Sequence, residues 1–280
     1  MADALTGLTE VTATVEQLIS AEVQAVLTAN VVMPGLVSDY SGMAGPGIDR
    51  IKIPRFSNFT VDTKAENVAV SAQVNAFSTD SLLLDQHKVI QFLVEDIAEL
   101  QSKVAVSQAY VQQAAKDLAA EMDQYILDTL EAGTSAAAPD HKRAYAGASL
   151  AKADVLTARQ LLNEAKVPLE DRAMVISPAS EAAILAISEF VRVDESGGSE
   201  ALRNGRIGKL FGFDCYVSSQ AEDLKSMFFH KSAMAFARQL EPRVKQFDDV
   251  ANLGTRYSID HLYGAKVLDS GKRQVLMGTA

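Results

Sequence analysis

The sequence predicts an α+β protein in which one long helix is packed against sheets assembled from distant parts of the chain. Three observations carry that prediction. Residues 96–133 hold an apolar stripe of Ile97, Val104, Val111, Leu118 and Tyr125, one every seven positions, with Leu100, Ala114 and Met122 on or beside it. Residues 51–77 alternate apolar and polar side chains on both sides of a polar tip, as two extended arms joined by a turn would. Between residue 150 and about residue 220 helical and extended patterns alternate, and the chain then closes in extended alternation.

Taken in order, residues 15–32 place Leu18, Ile19, Val23, Val26 and Leu27 at helical spacing, and Pro34 with Gly35 ends that pattern. Gly42, Gly45, Pro46 and Gly47 then make a flexible joint. Ile51 and Ile53 open an alternating stretch that continues with Phe59 and Val61, and Val68 and Val70 follow a polar tip. A long thin hairpin is marginally stable unless another surface covers it, so residues 51–77 point to a partner subunit. Asp96 with Glu99 reads as an N-terminal capping pair for the long helix, and Gly133 as the left-handed residue that closes it. At 1.5 Å per residue that segment would reach about 55 Å. Ser107 and Glu121 interrupt the second seam a coiled coil needs, which favours packing against a sheet.

After a small-residue linker at 134–148, a helix is expected at 152–165, a strand at 174–177 and a helix at 178–190, with Ser177 as cap and Pro178 as first helical residue. Residues 194–199, centred on Gly197 and Gly198, read as an exposed loop, and the glycine-rich run 205–212 leads into a strand at Phe213, Tyr216 and Val217. Tyr257, Ile259, Ala265 and Val267 alternate, Asp269, Ser270 and Gly271 turn the chain, and Val275 and Met277 end it in a strand. No fixed-period repeat is visible.

Composition narrows the function. With 280 residues, 48% apolar and 22% charged, the chain can bury a large core. Asp and Glu outnumber Lys and Arg 36 to 26, a formal charge of -10, which gives no global attraction to nucleic acid or to an anionic membrane. The single cysteine, Cys215, excludes an internal disulfide and a cysteine-based zinc site, and suits a reducing cytoplasm. No secretory signal is recognisable at the N-terminus, and no run approaches the roughly 18 apolar residues of a membrane helix, so a soluble protein is expected. The sequon Asn58-Phe59-Thr60 is then a chance match.

The chemistry-bearing residue types form no recognisable site. There is no phosphate-binding glycine loop, and Gly205-Arg206-Ile207-Gly208 with Lys209 precedes a strand rather than a helix. His87, His141, His230 and His261 lie far apart without metal-ligand spacing. The carboxylate pairs Asp248-Asp249 and Glu95-Asp96 read as solvated faces or caps. Cys215 with His230 or His261 would make a nucleophile and base, but Phe213 and Tyr216 beside it suit a small buried side chain in a strand. No catalytic, cofactor-binding or metal-ligating residue is therefore assigned, and an enzyme is not expected.

The order of elements, together with particular segments, resembles the major capsid proteins of tailed bacteriophages, the Hong Kong 97 fold. The segments are Ala29-Asn30-Val31-Val32 through Asp49-Arg50-Ile51-Lys52-Ile53-Pro54, and Asp85-Gln86-His87-Lys88 through Phe92 to Glu95-Asp96. Further on they are Asn204 to Phe213 followed by Val217-Ser218-Ser219, and Tyr263-Gly264-Ala265-Lys266-Val267. The resemblance covers nearly the whole chain. It implies an N-terminal arm at 1–47, an extended E-loop hairpin at 48–80, and a peripheral domain at 81–149 with its spine helix at 96–133. An axial α/β domain at 150–220 and return strands at 221–280 completing both domains follow.

The same resemblance implies that Asp62, Thr63, Lys64, Ala65, Glu66 and Asn67 form the inter-subunit tip of the E-loop. Asp194, Glu195, Ser196, Gly197, Gly198 and Ser199 become a candidate axial loop, and Gly42, Gly45, Pro46 and Gly47 the hinge of the arm. The implied function is self-assembly as pentamers and hexamers into an icosahedral shell around a tailed phage's double-stranded DNA. The implied location is the virion capsid, assembled in the host bacterial cytoplasm. A portal protein, a separate scaffolding protein and a decoration protein are the implied partners, with DNA packaged non-specifically, and neither cofactor nor membrane is implied. No long charged helical extension acts as a fused scaffold, no large insertion interrupts the axial lobe, and no basis exists for pairing Lys64 with an asparagine in a covalent cross-link. An encapsulin-like shell that stores cargo and a cytoplasmic α/β enzyme using Cys215 are the alternative readings.

Overall fold

The computed structural model describes residues 33–56, 59–67, 69, 72–74, 77–96, 106–136, 140–185, 208–221 and 225–278. The helical pattern at 15–32, the cap residue Glu99, the loop 194–199 and the run 205–207 lie outside the described residues.

The described chain opens with a single helical turn, α1 (Met33–Leu36), and a short strand, β1 (Ser38–Asp39). Pro34 and Gly35 sit within that turn, where proline's fixed φ suits a first helical turn and no backbone donor is needed. A hairpin follows, β2 (Arg50–Phe56) and β3 (Phe77–Leu83), and then β4 (Gln86–Glu95). The long helix α2 (Val106–Gly133) has 28 residues and so runs about 42 Å. After β5 (Lys142–Arg143) come α3 (Lys152–Glu164), β6 (Arg172–Ile176) and α4 (Pro178–Leu185). The remainder is strand: β7 (Lys209–Leu210), β8 (Phe213–Val217), β9 (Lys225–His230), β10 (Met234–Asp249), β11 (Gly254–Val267) and β12 (Gln274–Gly278).

These strands form a four-stranded sheet in the order β1-β10-β11-β4, a six-stranded sheet in the order β5-β12-β9-β6-β8-β7, and the separate β2–β3 ribbon. The last part of the chain therefore supplies two strands to each large sheet. The central strands of the six-stranded sheet are buried on both faces, which explains the nearly continuous apolar runs at Ala173–Ile176 and Val275–Met277. One face carries Met174, Ile176, Phe213, Phe228 and Val275 against Val155, Ala158, Leu161 and Leu162 of α3 and Ile184 of α4. The other carries Ala173, Val175, Met227, Phe229 and Leu276 against Met122, Ile126 and Leu130 of α2.

The long helix serves both sheets. Val111, Ala115 and Leu118 of its first half pack on Val244 and Ile259, with Ile90, Phe92 and Tyr257 at the rim, while its second half lies under the six-stranded sheet. The expected packing against a sheet rather than a coiled coil is what the structure has. Its last turn is closed by side chains: Gln274 Nε2 donates to the Leu130 carbonyl at 2.6 Å and to Thr134 Oγ1 at 2.9 Å, and Thr134 Oγ1 donates to the same carbonyl at 2.8 Å.

Gly133 does not close the helix in a left-handed conformation, since only Gly47, Gly212 and Gly271 among the described glycines have positive φ. It is needed for space instead. A Cβ there would lie 2.5 Å from Val267 Cγ2, and a Cβ on Gly271 would lie 1.9 Å from the Gly133 carbonyl oxygen. Two glycines thus let the helix end and the 269–271 turn touch backbone to backbone.

The long β10–β11 hairpin bends where its register shifts between Arg238 and Leu240 and again between Leu240 and Arg243, around Pro242, which has no amide donor to give the ladder. Opposite that bend His261 is buried, touching Tyr263 at 4.7 Å between ring centroids. Burial pushes its pKa down to about 4, helped by Lys88, His87 and Arg238 and opposed by Asp260. The unfolded imidazole takes a proton near pH 6.5, so stability is full above that value and falls as pH drops towards 4. The loss comes to about 3 kcal/mol. Urea unfolding of the purified chain at pH 7.5 and pH 4.5 is expected to show most of this loss, and a His261→Phe variant to show a markedly smaller one.

Candidate assembly surface

The β2–β3 ribbon pairs Arg50 with Leu83 through Phe56 with Phe77, one residue at a time. Because side chains alternate across a strand, each pair faces one way. Ile51 with Leu82 and Ile53 with Asp80 face the body, where Ile51 and Leu82 are buried against Ala235, Ala237 and Leu268. Arg50, Lys52, Pro54 and Phe56 face away with Leu83, Ser81, Thr79 and Phe77. The ribbon is thus anchored at its base and bare along its outer half.

Phe56 and Phe77 stand in an edge-to-face pair with centroids 5.5 Å apart, 68% and 63% exposed. Beyond them Phe59, Val61 and Val74 are also exposed, Val61 and Val74 almost completely. An aromatic pair continued by bare aliphatic side chains is a surface that another protein surface must cover to recover the hydrophobic free energy, about 25 cal/mol per Å².

The arms stay paired past the last ladder residues. The Gln73 side chain accepts from the Thr60 amide at 3.0 Å, donates to the Thr60 carbonyl at 2.7 Å, and donates to Asp62 Oδ2 at 2.9 Å. A side-chain amide thereby replaces a backbone rung. At the tip Asp62, Thr63, Lys64, Ala65, Glu66 and Asn67 are all exposed, and Asn67 takes a φ of +60°, which asparagine tolerates better than most residues. The expected hairpin is therefore present. Its ladder runs through Leu83, past the expected limit at residue 77, and its first strand stops at Phe56, so Phe59 and Val61 are not in a strand.

The segment holding Gly42, Gly45, Pro46 and Gly47 is stitched onto β10. The Tyr40 amide donates to the Phe236 carbonyl at 2.8 Å, the Arg238 amide donates to Ser41 Oγ at 2.9 Å, and Gln239 Nε2 donates to the carbonyls of Gly45 and Ile48 at 3.0 and 2.8 Å. Gly47 is the one member with positive φ, at +82°, and a Cβ there would meet nothing within 4 Å.

The opposite face of the four-stranded sheet, turned away from α2, holds a charged row. Arg243 Nε and Nη2 donate to Asp260 Oδ1 and Oδ2 at 2.8 and 2.9 Å, and His87 Nε2 lies 3.2 Å from Asp260 Oδ2. The Arg243 hydrogen bonds hold the Asp260 carboxyl below its usual range against the opposing effect of burial. At the end of this sheet the 249–254 turn is fastened by Asp249, which accepts from the Ala251 amide at 3.1 Å and from Asn252 Nδ2 at 2.9 Å and pairs with Arg256. That turn exposes Val250 and Leu253, and Phe247 beside it is half exposed.

Cys215 lies in β8, and burial pushes its thiol up to about 12. The nucleophilic thiolate is therefore suppressed, and alkylation of the folded chain at pH 7.5 is expected to run much more slowly than that of a free cysteine. Mass spectrometry of iodoacetamide-treated protein checks this, and rapid labelling before unfolding would contradict it. His230 Nδ1 accepts from the Ser232 amide at 3.1 Å and lies 2.8 Å from Ser232 Oγ. Its pKa is lowered chiefly by burial. Among the described residues no group of three or more His, Cys, Asp or Glu is placed to hold a metal ion, and no helix is long and apolar enough to cross a membrane.

Sequence reasoning missed the outward Arg50, Lys52, Pro54 face and the 247–253 tip. The first had a signal, period-two alternation inside 50–56.

Among curated proteins none matches this sequence significantly. Solved structures do match. A structure from Mycobacterium phage Che8 shares 28% identity over 88% of this chain and 90% of its own, with a TM-score of 0.76. The capsid of cyanophage P-SCSP1u aligns over 89% of this chain and 88% of its own at 16% identity and a TM-score of 0.71. The mature capsid of bacteriophage PhiM1 aligns over 89% and 86% at 15% identity and 0.70. The α+β arrangement of long helix, ribbon and two sheets is thus the Hong Kong 97 type of capsid fold. The family model described as phage capsid protein matches residues 46–273, which take in the bare ribbon, the long helix and most of both large sheets, and the chain belongs to that family.

Proposed function

We propose that this chain is a major capsid protein, which assembles into the icosahedral shell of a tailed phage. The observation that carries the reading is the β2–β3 ribbon, anchored at its base and bare along Phe56, Phe59, Val61, Val74 and Phe77 in a chain of the phage capsid family. A lone subunit leaves that strip in water. A neighbour in a symmetric shell covers it, and many such contacts add even when each is weak.

In this reading the ribbon is the arm that reaches over a neighbouring subunit, with Asp62, Thr63, Lys64, Ala65, Glu66 and Asn67 at its contact tip. The four-stranded sheet with α2 is the peripheral domain and the six-stranded sheet with α3 and α4 the axial domain. Asp194, Glu195, Ser196, Gly197, Gly198 and Ser199 surround the axis of each pentamer and hexamer. Residues 1–47 form a second arm, hinged within Gly42, Gly45, Pro46 and Gly47, where Gly47 has the backbone freedom to absorb differences between the two settings.

The shell encloses double-stranded DNA without reading its sequence, in keeping with a formal charge of -10 and counterions carried by the genome itself. Assembly takes place in the host bacterial cytoplasm, with a portal protein and a separate scaffolding protein. The chain has no catalytic role. Membership of the phage capsid family favours a genome shell over an encapsulin-like cargo store.

Size-exclusion chromatography and negative-stain electron microscopy of the purified chain test this, with and without a crowding agent. Closed shells or rings of five and six subunits are the expected products. A monomer or dimer under every condition overturns the reading.

A further inference from the structure

We infer that Asp269 is the positioning residue that sets the direction in which the β2–β3 ribbon leaves the subunit, through its ion pair with Arg55. The inference rests on the reading of the ribbon as an inter-subunit arm. Among the described residues, Arg55 Nη1 to Asp269 Oδ1, at 3.1 Å, is the one ion pair joining the ribbon to the rest of the chain. It acts where leverage is greatest. Ile51 and Leu82 hold the base by burial, while Arg55 sits next to the last ladder residue, Phe56, at the boundary between anchored and bare ribbon. Its Nε also reaches Ser78 Oγ at 3.4 Å, so both strands are tied to one point.

Asp269 is itself held in place. Its other oxygen accepts from Arg273 Nε at 3.3 Å, and Arg273 Nη1 donates to Ser232 Oγ at 3.0 Å. The backbone presenting it is costly: Asp269 and Ser270 have φ of +52° and +53°, and Gly271 has +71°. Consecutive side-chain-bearing residues rarely adopt this region, and such strain persists where surrounding structure enforces it. Here the enforcement is the end of α2, since Gly271 lies so close to the Gly133 carbonyl that a Cβ would come within 1.9 Å of it. The ribbon's direction is thereby referred to the end of the long helix.

The pair is about one-third exposed on each side, so its effect on global stability is small. Its effect on a thin ribbon with one anchored end is not. This separates positioning from mere structural support.

The test uses Asp269→Asn, because asparagine tolerates positive φ and keeps the turn, together with Arg55→Gln, the double variant and Arg55→Lys. Hydrogen exchange is read on the unassembled subunit at residues 50–56 and 77–83, and particle diameters by electron microscopy. Each neutral variant is expected to speed exchange in the ribbon up to about fivefold while leaving the melting temperature within error. The double variant should exchange no faster than either single one, and Arg55→Lys should return to the wild-type rate. Particles of the neutral variants should spread in diameter or remain open. Unchanged exchange, additive effects, or normal particles despite faster exchange would each overturn the inference. A wild-type chain that forms no particle would count against the shell reading, and the exchange data would still decide on the ion pair.

Discussion

Replacing Phe56 and Phe77 together with aspartate is expected to yield a folded subunit that no longer closes into shells. The two rings contact each other but are mostly exposed in the subunit, so removing them takes little from the monomer's core. In the proposed assembly the same rings would become covered anchors. Aromatic anchors at the centre of an interface typically cost about 2 kcal/mol or more each when removed. Introducing two carboxylates adds the cost of burying charge. Because every subunit offers the same strip, the loss is repeated at every contact of the lattice. The check is a melting curve beside sedimentation velocity: an unchanged melting temperature with only small oligomers is the expected pair of results. Normal shells from the double variant would remove the ribbon from the assembly interface.

The largest expected effect on the subunit itself comes from Gly264→Ala. Gly264 lies in β11 under the point where β3 runs on towards β4, and a Cβ would sit 1.9 Å from the Leu83 carbonyl oxygen and 3.1 Å from Leu84 Cα. Both obstacles are backbone, so no side chain can rotate away. Relief requires the base of the ribbon to separate from the sheet, which uncovers Leu82 and Leu84. Overpacking of this kind costs about 3 kcal/mol, or roughly 6–10 °C in melting temperature for a chain of this size. Differential scanning fluorimetry measures it directly. A shift of less than a degree would mean that the approach of Gly264 to Leu83 is not a constraint.

Much of this fold was legible in the sequence because burial patterns are local. The α3 helix at 152–164, the β6 strand, and Ser177 before Pro178 follow expectation, and Ser177 Oγ accepts from the Ser180 amide at 3.3 Å. The long helix was legible from its stripe, of which Val111, Ala114, Leu118 and Met122 are buried. What escaped depends on distant partners. Return strands were expected at 221–280, but the bounds of β10 were not read from the residues: its Pro242 occupies a register shift that only pairing with β11 creates. Gly133 looked like a helix terminator, and its actual role, clearance for Val267 and for the 269–271 turn, depends on residues more than a hundred positions away.

The candidate surface divides the same way. The hairpin and its polar tip could be read from alternation, but the Arg55 to Asp269 pair joins positions 214 apart and leaves no local trace. Nor does a sequence show which alternating residues are bare. Ile53 and Phe56 look equally apolar, yet Ile53 packs against the body and Phe56 stands in solvent.

The measurement that bears most directly on the account is an icosahedral cryo-electron microscopy reconstruction of particles formed by this chain. The expected map shows residues 50–83 of each subunit extending over a neighbour, with Phe56, Phe59, Phe77 and Val61 covered by it. A shell in which the ribbon folds back on its own subunit, or leaves those side chains in solvent, would contradict the account.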